Sequence, residues 1–142
     1  LEAEGDLRGA AEAYRGEIAS WPKAYKAHFN LGRLLGEMGD RAGAVAALRR
    51  CTEENPEFGV GRLFLAQALL AAGDLDGARA EARRGLALDP ESEYAPLGHY
   101  VLADVASRQG REAEAQAELR RGRELEAHSP RRAKRSAGEG AD

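Results

Sequence analysis

The chain has 142 residues, of which 43% are hydrophobic and 32% are charged, a balance typical of a globular domain and not of a disordered chain. Its formal charge of -3 is too small to direct the whole domain onto nucleic acid or an anionic membrane. The single cysteine, Cys51, excludes an internal disulfide framework and a zinc site built from cysteines.

Glycine and proline each recur along the chain with the same period, which indicates internal repeats. The glycines are Gly5, Gly39, Gly73 and Gly110, and the prolines are Pro22, Pro56 and Pro90. Neighbours in each set are 34 residues apart, except that the last glycine follows after 37. Glycine closes a helix, the aspartate that follows three of these glycines can cap the next helix, and proline ends a helix. The pattern therefore predicts one pair of helices per period.

The first element, residues 1–22, is a partial copy of this unit. We predict that Leu1 lies in a first helix whose beginning is missing, and that the Gly-Asp pair after it forms the turn to a second helix. On that second helix Leu7, Ala11 and Ile18 would form an apolar face that needs a partner. We infer that more protein lies upstream.

The second and third elements, residues 23–56 and 57–90, are complete copies with apolar residues at helical spacing. Small residues occupy the places where the two helices of a pair should cross. They are Gly32, Ala66 and Ala103 in the first helices, and Ala10, Ala44, Ala78 and Ala115 in the second helices. Small residues on both helices predict a close approach of the two backbones.

The fourth element, residues 91–127, carries three extra residues between Pro90 and Pro96. Either the loop is longer, or the first helix of this copy gains most of a turn and has Pro96 in its first turn. The outward face of the last helix is polar, as a terminal repeat requires. That face carries Glu112, Gln116 and Arg123.

Residues 128–142 have no periodicity, and we expect a disordered tail. Its basic run, residues 131–135, could be a nuclear-targeting or nucleic-acid patch, or an ordinary solvated segment. We favour the solvated segment, because no aromatic residue is interleaved for base stacking.

The period and these positions resemble the tetratricopeptide repeat family, whose 34-residue pattern reads W-x2-L-G-x2-Y, then A-x3-F, then P. The second copy matches it with Leu31, Gly32, Leu35, Ala44, Leu48 and Pro56. The third matches with Leu65, Ala66, Leu69, Ala78, Ala82 and Pro90. The tryptophan place is taken by His28, Arg62 and His99. The resemblance covers roughly residues 1–127 and implies an all-α, right-handed α-solenoid of antiparallel helix pairs, with about three full repeats and a truncated N-terminal one.

Residues capable of catalysis or metal binding are scattered rather than grouped. His28 and His99 lie in different repeats, too far apart in a stacked solenoid to share a metal ion. Cys51 lies at a small-residue place on the inner face of a helix, which favours an inert, buried thiol over a nucleophile. We therefore expect no catalytic, cofactor-binding or metal-binding residues, and no enzyme activity in this segment.

In the family, the first helices of successive repeats line a concave groove. The resemblance places there Lys26, Phe29, Arg33, Leu63, Gln67, Leu70, Tyr100 and Asp104. Phe29, Leu63 and Tyr100 would be apolar anchors for a peptide, while Arg33 and Gln67 would form hydrogen bonds to it. Alternatively, Phe29 and Leu63 only pack against neighbouring helices.

Two functions remain open from the sequence. The first is a non-catalytic protein-interaction scaffold that binds a peptide or helix of a partner protein in the groove. The second is a C-terminal structural or oligomerisation appendage of a larger upstream enzyme. Neither involves nucleic acid, a membrane or a cofactor. The Ala-, Arg- and Gly-rich composition suggests a bacterial gene, and a cytoplasmic location is favoured.

Overall fold

The computed structural model describes residues 2–128, and regular structure in that range is entirely α-helical. The helices are α1 (Glu2–Ser20), α2 (Tyr25–Glu37), α3 (Arg41–Glu54), α4 (Gly59–Ala71), α5 (Leu75–Leu88), α6 (Ala95–Arg108) and α7 (Glu112–Ala127). The predicted tail lies outside the described residues except for His128, which is the C-cap of α7.

The helices form three packed pairs, α2 with α3, α4 with α5, and α6 with α7. Each pair also packs on the next, through α3 against α4 and α5 against α6, while α1 packs on α2. This arrangement confirms the predicted all-α solenoid of helix pairs.

The turns inside the three pairs have the predicted chemistry. A left-handed glycine closes the first helix of each pair: Gly39 (φ 83°), Gly73 (φ 88°) and Gly110 (φ 77°). The Asp40 carboxylate accepts a hydrogen bond from the backbone N–H of Gly43 at 2.9 Å, and Asp74 accepts one from Gly77 at 2.9 Å. These bonds satisfy backbone donors that the first turn of a helix leaves unpaired, so the aspartates act as N-caps.

The turn predicted at Gly5 was wrong, because α1 runs without a break from Glu2 to Ser20. A glycine turn closes a helix that precedes it, and the described residues before Gly5 belong to α1 itself. The separate first helix predicted around Leu1 is therefore not present in the described part of the chain.

The packing of α1 also differs from the prediction. Ala11 is buried, whereas Ala10, predicted to lie at the helix crossing, is only partly buried. Ala11 and Ile18 pack with Leu31 and Leu35 of α2 in one apolar cluster. Two of the three residues expected to need an outside partner, Ala11 and Ile18, thus pack on α2, and Leu7 is partly buried.

The crossings inside the pairs are as close as predicted. Ala44, Ala78 and Ala115 are all buried. A Cβ atom added to Gly32 would lie only 2.5 Å from Cγ of Leu48, so the leucine side chain of α3 rests directly on the backbone of α2. Such contacts give protein interiors their crystal-like packing density.

The three extra residues before α6 lengthen both the loop and the helix, so each of the two predicted alternatives holds in part. Residues 89–94 separate α5 from α6, whereas the shorter segment 55–58 separates α3 from α4. The helix α6 has 14 residues where α4 has 13, and Pro96 lies in its first turn. Proline is accommodated there because its missing N–H would have no partner in the helix anyway.

Polar side chains at the family's tryptophan place make specific contacts. The ring N–H of His28 donates to the carbonyl oxygen of Pro22 at 2.8 Å, and Nε of Arg62 donates to that of Pro56 at 3.0 Å. The His99 ring contacts a Glu118 oxygen at 2.6 Å. At these positions, polar contacts therefore stand in place of the packing contacts of a tryptophan ring.

Candidate functional site

An open hollow of about 510 Å³ lies between α2 and α4, with α3 as its floor. Its apolar lining combines the larger Leu48 and Phe64 with small residues, which are Gly36, Ala44, Ala68 and Ala71. Polar and charged side chains also line it: Arg33, Glu37, Arg41 and Gln67. The combination of apolar walls with a few polar groups is typical of a binding site.

The hollow exists because one junction between repeats is filled and the other is not. At the junction of α4 with α6, Leu70 and Leu75 pack against the core and Val105 is fully buried. The residues at the equivalent repeat positions of the α2–α4 junction are Gly36, Arg41 and Ala68. As a result, α2 and α4 pack against each other less extensively than α4 and α6 do.

A row of aromatic rings runs beside the hollow, in the order Tyr25, Phe58, Phe29, Phe64 and Tyr94. Each neighbouring pair has ring centroids 5.2 Å apart in an edge-to-face arrangement. Phe58 and Tyr94 are the N-cap residues of α4 and α6, so the rings connect the starts of these helices to the middle of α2 and α4. Such pairs add about 0.5–1.5 kcal/mol each beyond the area they bury.

The guanidinium of Arg33 lies against this row. Its Cζ is 4.8 Å from the ring centroid of Phe64, 5.5 Å from that of Phe29 and 5.9 Å from that of Tyr94. Cation–π attraction to several rings holds the side chain at one end of the hollow. A guanidinium fixed in this way is already ordered for a carboxylate or backbone carbonyl.

Several of the predicted groove residues meet at the hollow. Arg33 and Gln67 line it, whereas Phe29 is buried in the core with the aromatic row, which is the alternative role predicted for it. Lys26 is exposed on α2. Leu70 is partly buried against the core, at the filled junction.

Leu63 is not placed where a partner could reach it, since it is only 1% exposed. A Cβ atom at Gly85 or at Gly98 would fall within 3 Å of its Cδ2, so Leu63 occupies the space that these two glycines leave. Packing against neighbouring helices was the alternative role predicted for Leu63, and the structure shows that packing.

Tyr100 and Asp104 lie away from the hollow on α6. The ring of Tyr100 rests on Gly122 of α7, and its hydroxyl donates to Glu126 at 2.8 Å. Partial burial and the Glu126 carboxylate raise the pKa of this hydroxyl. Asp104 accepts a hydrogen bond from Nε of Arg108 at 2.7 Å. Both residues therefore make contacts within their own repeat, and the structure does not bring them to Arg33.

The residues that the sequence analysis missed are those that form the hollow and the ring row. They include Gly36, Ala68, Phe58 and Tyr94. A position-by-position comparison of the copies would have shown the small residues opposite larger ones, and the aromatic residue before the first helix of two repeats.

Outside the hollow, the side chains of interest for chemistry within residues 2–128 are Cys51 and the possible metal ligands. Cys51 is fully buried, and burial raises the pKa of its thiol to about 11, which keeps it protonated. Over residues 2–128, no three His, Cys, Asp or Glu side chains are grouped so that they could hold a metal ion. None of the described helices is long and apolar enough to span a membrane.

Three models of the tetratricopeptide repeat match this chain, over residues 1–35, 37–98 and 96–121. The chain belongs to the tetratricopeptide repeat family. Its repeats are those of a protein-interaction scaffold, and the helical arrangement described above is the family's fold.

Two curated proteins are similar to this tetratricopeptide chain. A TPR repeat-containing protein of Pseudomonas aeruginosa is 42% identical over 59 residues, which are 42% of this chain and 56% of that protein. Cellulose synthase 2 operon protein C of Komagataeibacter xylinus is 33% identical over 118 residues, which are 82% of this chain and 9% of that protein. The chain thus spans little more than half of the first relative and less than a tenth of the second.

Among solved structures, MamA 41-end from Desulfovibrio magneticus RS-1 superposes with a TM-score of 0.76 at 19% identity. The match covers 92% of this chain and 72% of the MamA chain. At this identity the comparison establishes that the tetratricopeptide fold is shared.

Proposed function

We propose that this tetratricopeptide chain holds a segment of a partner protein, an extended peptide or a single helix, in the groove along α2, α4 and α6. The observation that supports the proposal is the hollow at the α2–α4 junction. Its volume of about 510 Å³ falls in the range of sites that hold ligands.

The lining of the hollow suits a polypeptide. Gly36 and Ala68 leave room for an apolar side chain between the helices, and burial of such a side chain contributes about 1.5–3 kcal/mol. Arg33 and Gln67 can form hydrogen bonds to backbone or side-chain groups of the same segment. The proposed contact set is therefore narrower than the predicted one: it keeps Arg33 and Gln67, and it omits Leu63, Tyr100 and the buried Phe29.

The alternative function, an appendage that docks on an upstream enzyme, relied on an uncovered apolar face of α1. Ala11 and Ile18 of that face pack against α2 instead. The groove is therefore the function that the geometry favours.

A variant that fills the hollow tests the proposal. The double substitution Gly36→Leu with Ala68→Val installs the residues that fill the other junction. A display library of random short peptides is selected on the immobilised chain and on this filled variant. We expect peptides that enrich on the chain and fail on the variant, whose thermal melt should be unchanged or higher. Equal enrichment on both proteins, or none on either, would refute binding in the hollow.

A further inference from the structure

Resting on the proposed function, we propose that the hollow selects a partner segment in which an aliphatic side chain lies next to an acidic one. The aliphatic side chain fills the space between Gly36 and Ala68, and the carboxylate binds the guanidinium of Arg33. Three features of the site support a partner segment of this chemistry.

The first feature is the filled junction, which shows what the open one lacks. At the α4–α6 junction, Leu70 occupies the position equivalent to Gly36, and it packs against core residues. A leucine- or isoleucine-sized side chain from a partner would supply at the open junction the packing that Leu70 supplies internally. An aliphatic side chain fits the apolar part of the lining, because Ala44, Ala68 and Ala71 offer no polar side-chain atoms.

The second feature is the charge of the hollow. The charged residues that line it are Arg33, Arg41 and Glu37, so cations outnumber anions there. Cζ of Arg33 lies 4.8 Å from the ring centroid of Phe64, so cation–π attraction restrains the guanidinium beside the hollow. Planar N–H groups in a fixed orientation match a carboxylate, and such charge-assisted hydrogen bonds are about twice as strong as neutral ones.

The third feature is the spacing of the two subsites. Arg33 and Gly36 are three residues apart on α2, which corresponds to about 4.5 Å along the helix axis. An extended peptide advances about 3.3 Å per residue, so the acidic residue should lie one or two positions from the aliphatic one. In a bound helix the two would be three or four residues apart.

The test uses the peptides selected on the intact chain. The tightest peptide, its Glu→Gln or Asp→Asn analogue and its aliphatic-to-Ala analogue are titrated by fluorescence polarisation against the chain and four variants. The variants are Arg33→Gln, Arg33→Lys, the filled variant Gly36→Leu/Ala68→Val, and Arg121→Gln. Arg121 pairs with Glu124 on the exposed side of α7, so its substitution removes one positive charge away from the hollow.

We expect selected peptides to share an acidic and an aliphatic residue at the stated spacing. Arg33→Gln should weaken the peptide about tenfold or more, Arg33→Lys should weaken it less, and Arg121→Gln should leave binding unchanged. The neutral analogue should bind the chain and Arg33→Gln equally, because the interaction that the substitution removes is already missing. Circular dichroism at the titration temperature verifies that each variant is folded.

The other outcomes differ in which of the two proposals they overturn. Enriched peptides without an acidic residue, or with equal affinity for Arg33→Gln, would overturn the carboxylate subsite while groove binding stands. Full affinity of the aliphatic-to-Ala analogue would overturn the aliphatic subsite. A chain that enriches no peptide beyond the filled variant would overturn the proposed function and the inference together.

Discussion

Two glycines one turn apart on α2 provide a matched test of the packing described here. A Cβ atom added at Gly36 meets only the Cβ of Ala44, at an ordinary contact distance of 3.9 Å. A Cβ atom added at Gly32 would lie 2.5 Å from Cγ and 2.9 Å from Cδ2 of Leu48. The same substitution to alanine should therefore stabilise the protein at one position and destabilise it at the other.

The sizes of the two effects follow from the contacts. Alanine is preferred to glycine inside a helix by about 1 kcal/mol, which both variants gain. Gly36→Ala has nothing to offset this gain, so its free energy of unfolding should rise by about 1 kcal/mol. At Gly32 the buried Leu48 must move against its neighbours, which costs about 1–3 kcal/mol and gives a net loss of up to about 2 kcal/mol.

Circular dichroism at a helix band, followed through thermal and urea denaturation, measures both changes. For a chain of this length, 1 kcal/mol corresponds to a shift of roughly 3–5 °C in Tm. Gly32→Ala with a Tm equal to or above that of Gly36→Ala would refute the proposed contact between α2 and Leu48. A lower Tm for Gly36→Ala than for the unchanged protein would contradict the presence of the hollow.

Three further predictions concern the pairs and their turns. Ala78→Leu should overpack the crossing of α4 with α5 and lower stability by about 1–3 kcal/mol, so an unchanged thermal melt would contradict this placement. Asp74→Ala should cost about 1 kcal/mol by removing the cap on Gly77, whereas Asp74→Asn, which can cap equally well, should cost little in the same melts. Cys51 should react with a thiol reagent only after denaturation. Burial raises the folded-state pKa of this thiol to about 11, above the ordinary 9.0. The protonated Cys51 should therefore contribute stability that is complete below pH 9 and is lost as the pH rises towards 11. Urea titrations across that pH range measure the change in the free energy of unfolding.

The repeats, turns and helix crossings were predictable from the sequence because each is encoded locally. A left-handed glycine followed by an aspartate specifies a helix end and a helix start without reference to distant residues. Gly39 with Asp40 and Gly73 with Asp74 behave in this way. Gly5 was misassigned because its sequence is the same, but the described chain has no preceding helix for it to close.

The site was less predictable because it depends on pairs of residues that are distant in sequence. Leu63 occupies a family position assigned to the groove, yet Gly85 and Gly98 leave space for it in the core. Gly122 leaves space on α7 in the same way, and the ring of Tyr100 occupies it. Only Arg33, Phe29 and Gln67, whose surroundings are set by α2 and α4 themselves, lie at or beside the hollow.

The α2–α4 junction has a row of edge-to-face aromatic rings on one side and the hollow on the other. Since α3 supplies most of the remaining packing between α2 and α4, we expect the junction to bend more easily than the α4–α6 junction, about the rings of Phe29, Phe58 and Phe64. The more extensively packed α4–α6 junction should resist this bending, so residues 59–127 should move as one rigid unit. A partner segment that binds in the hollow would then alter the pitch of the superhelix, so binding would change the shape of the protein.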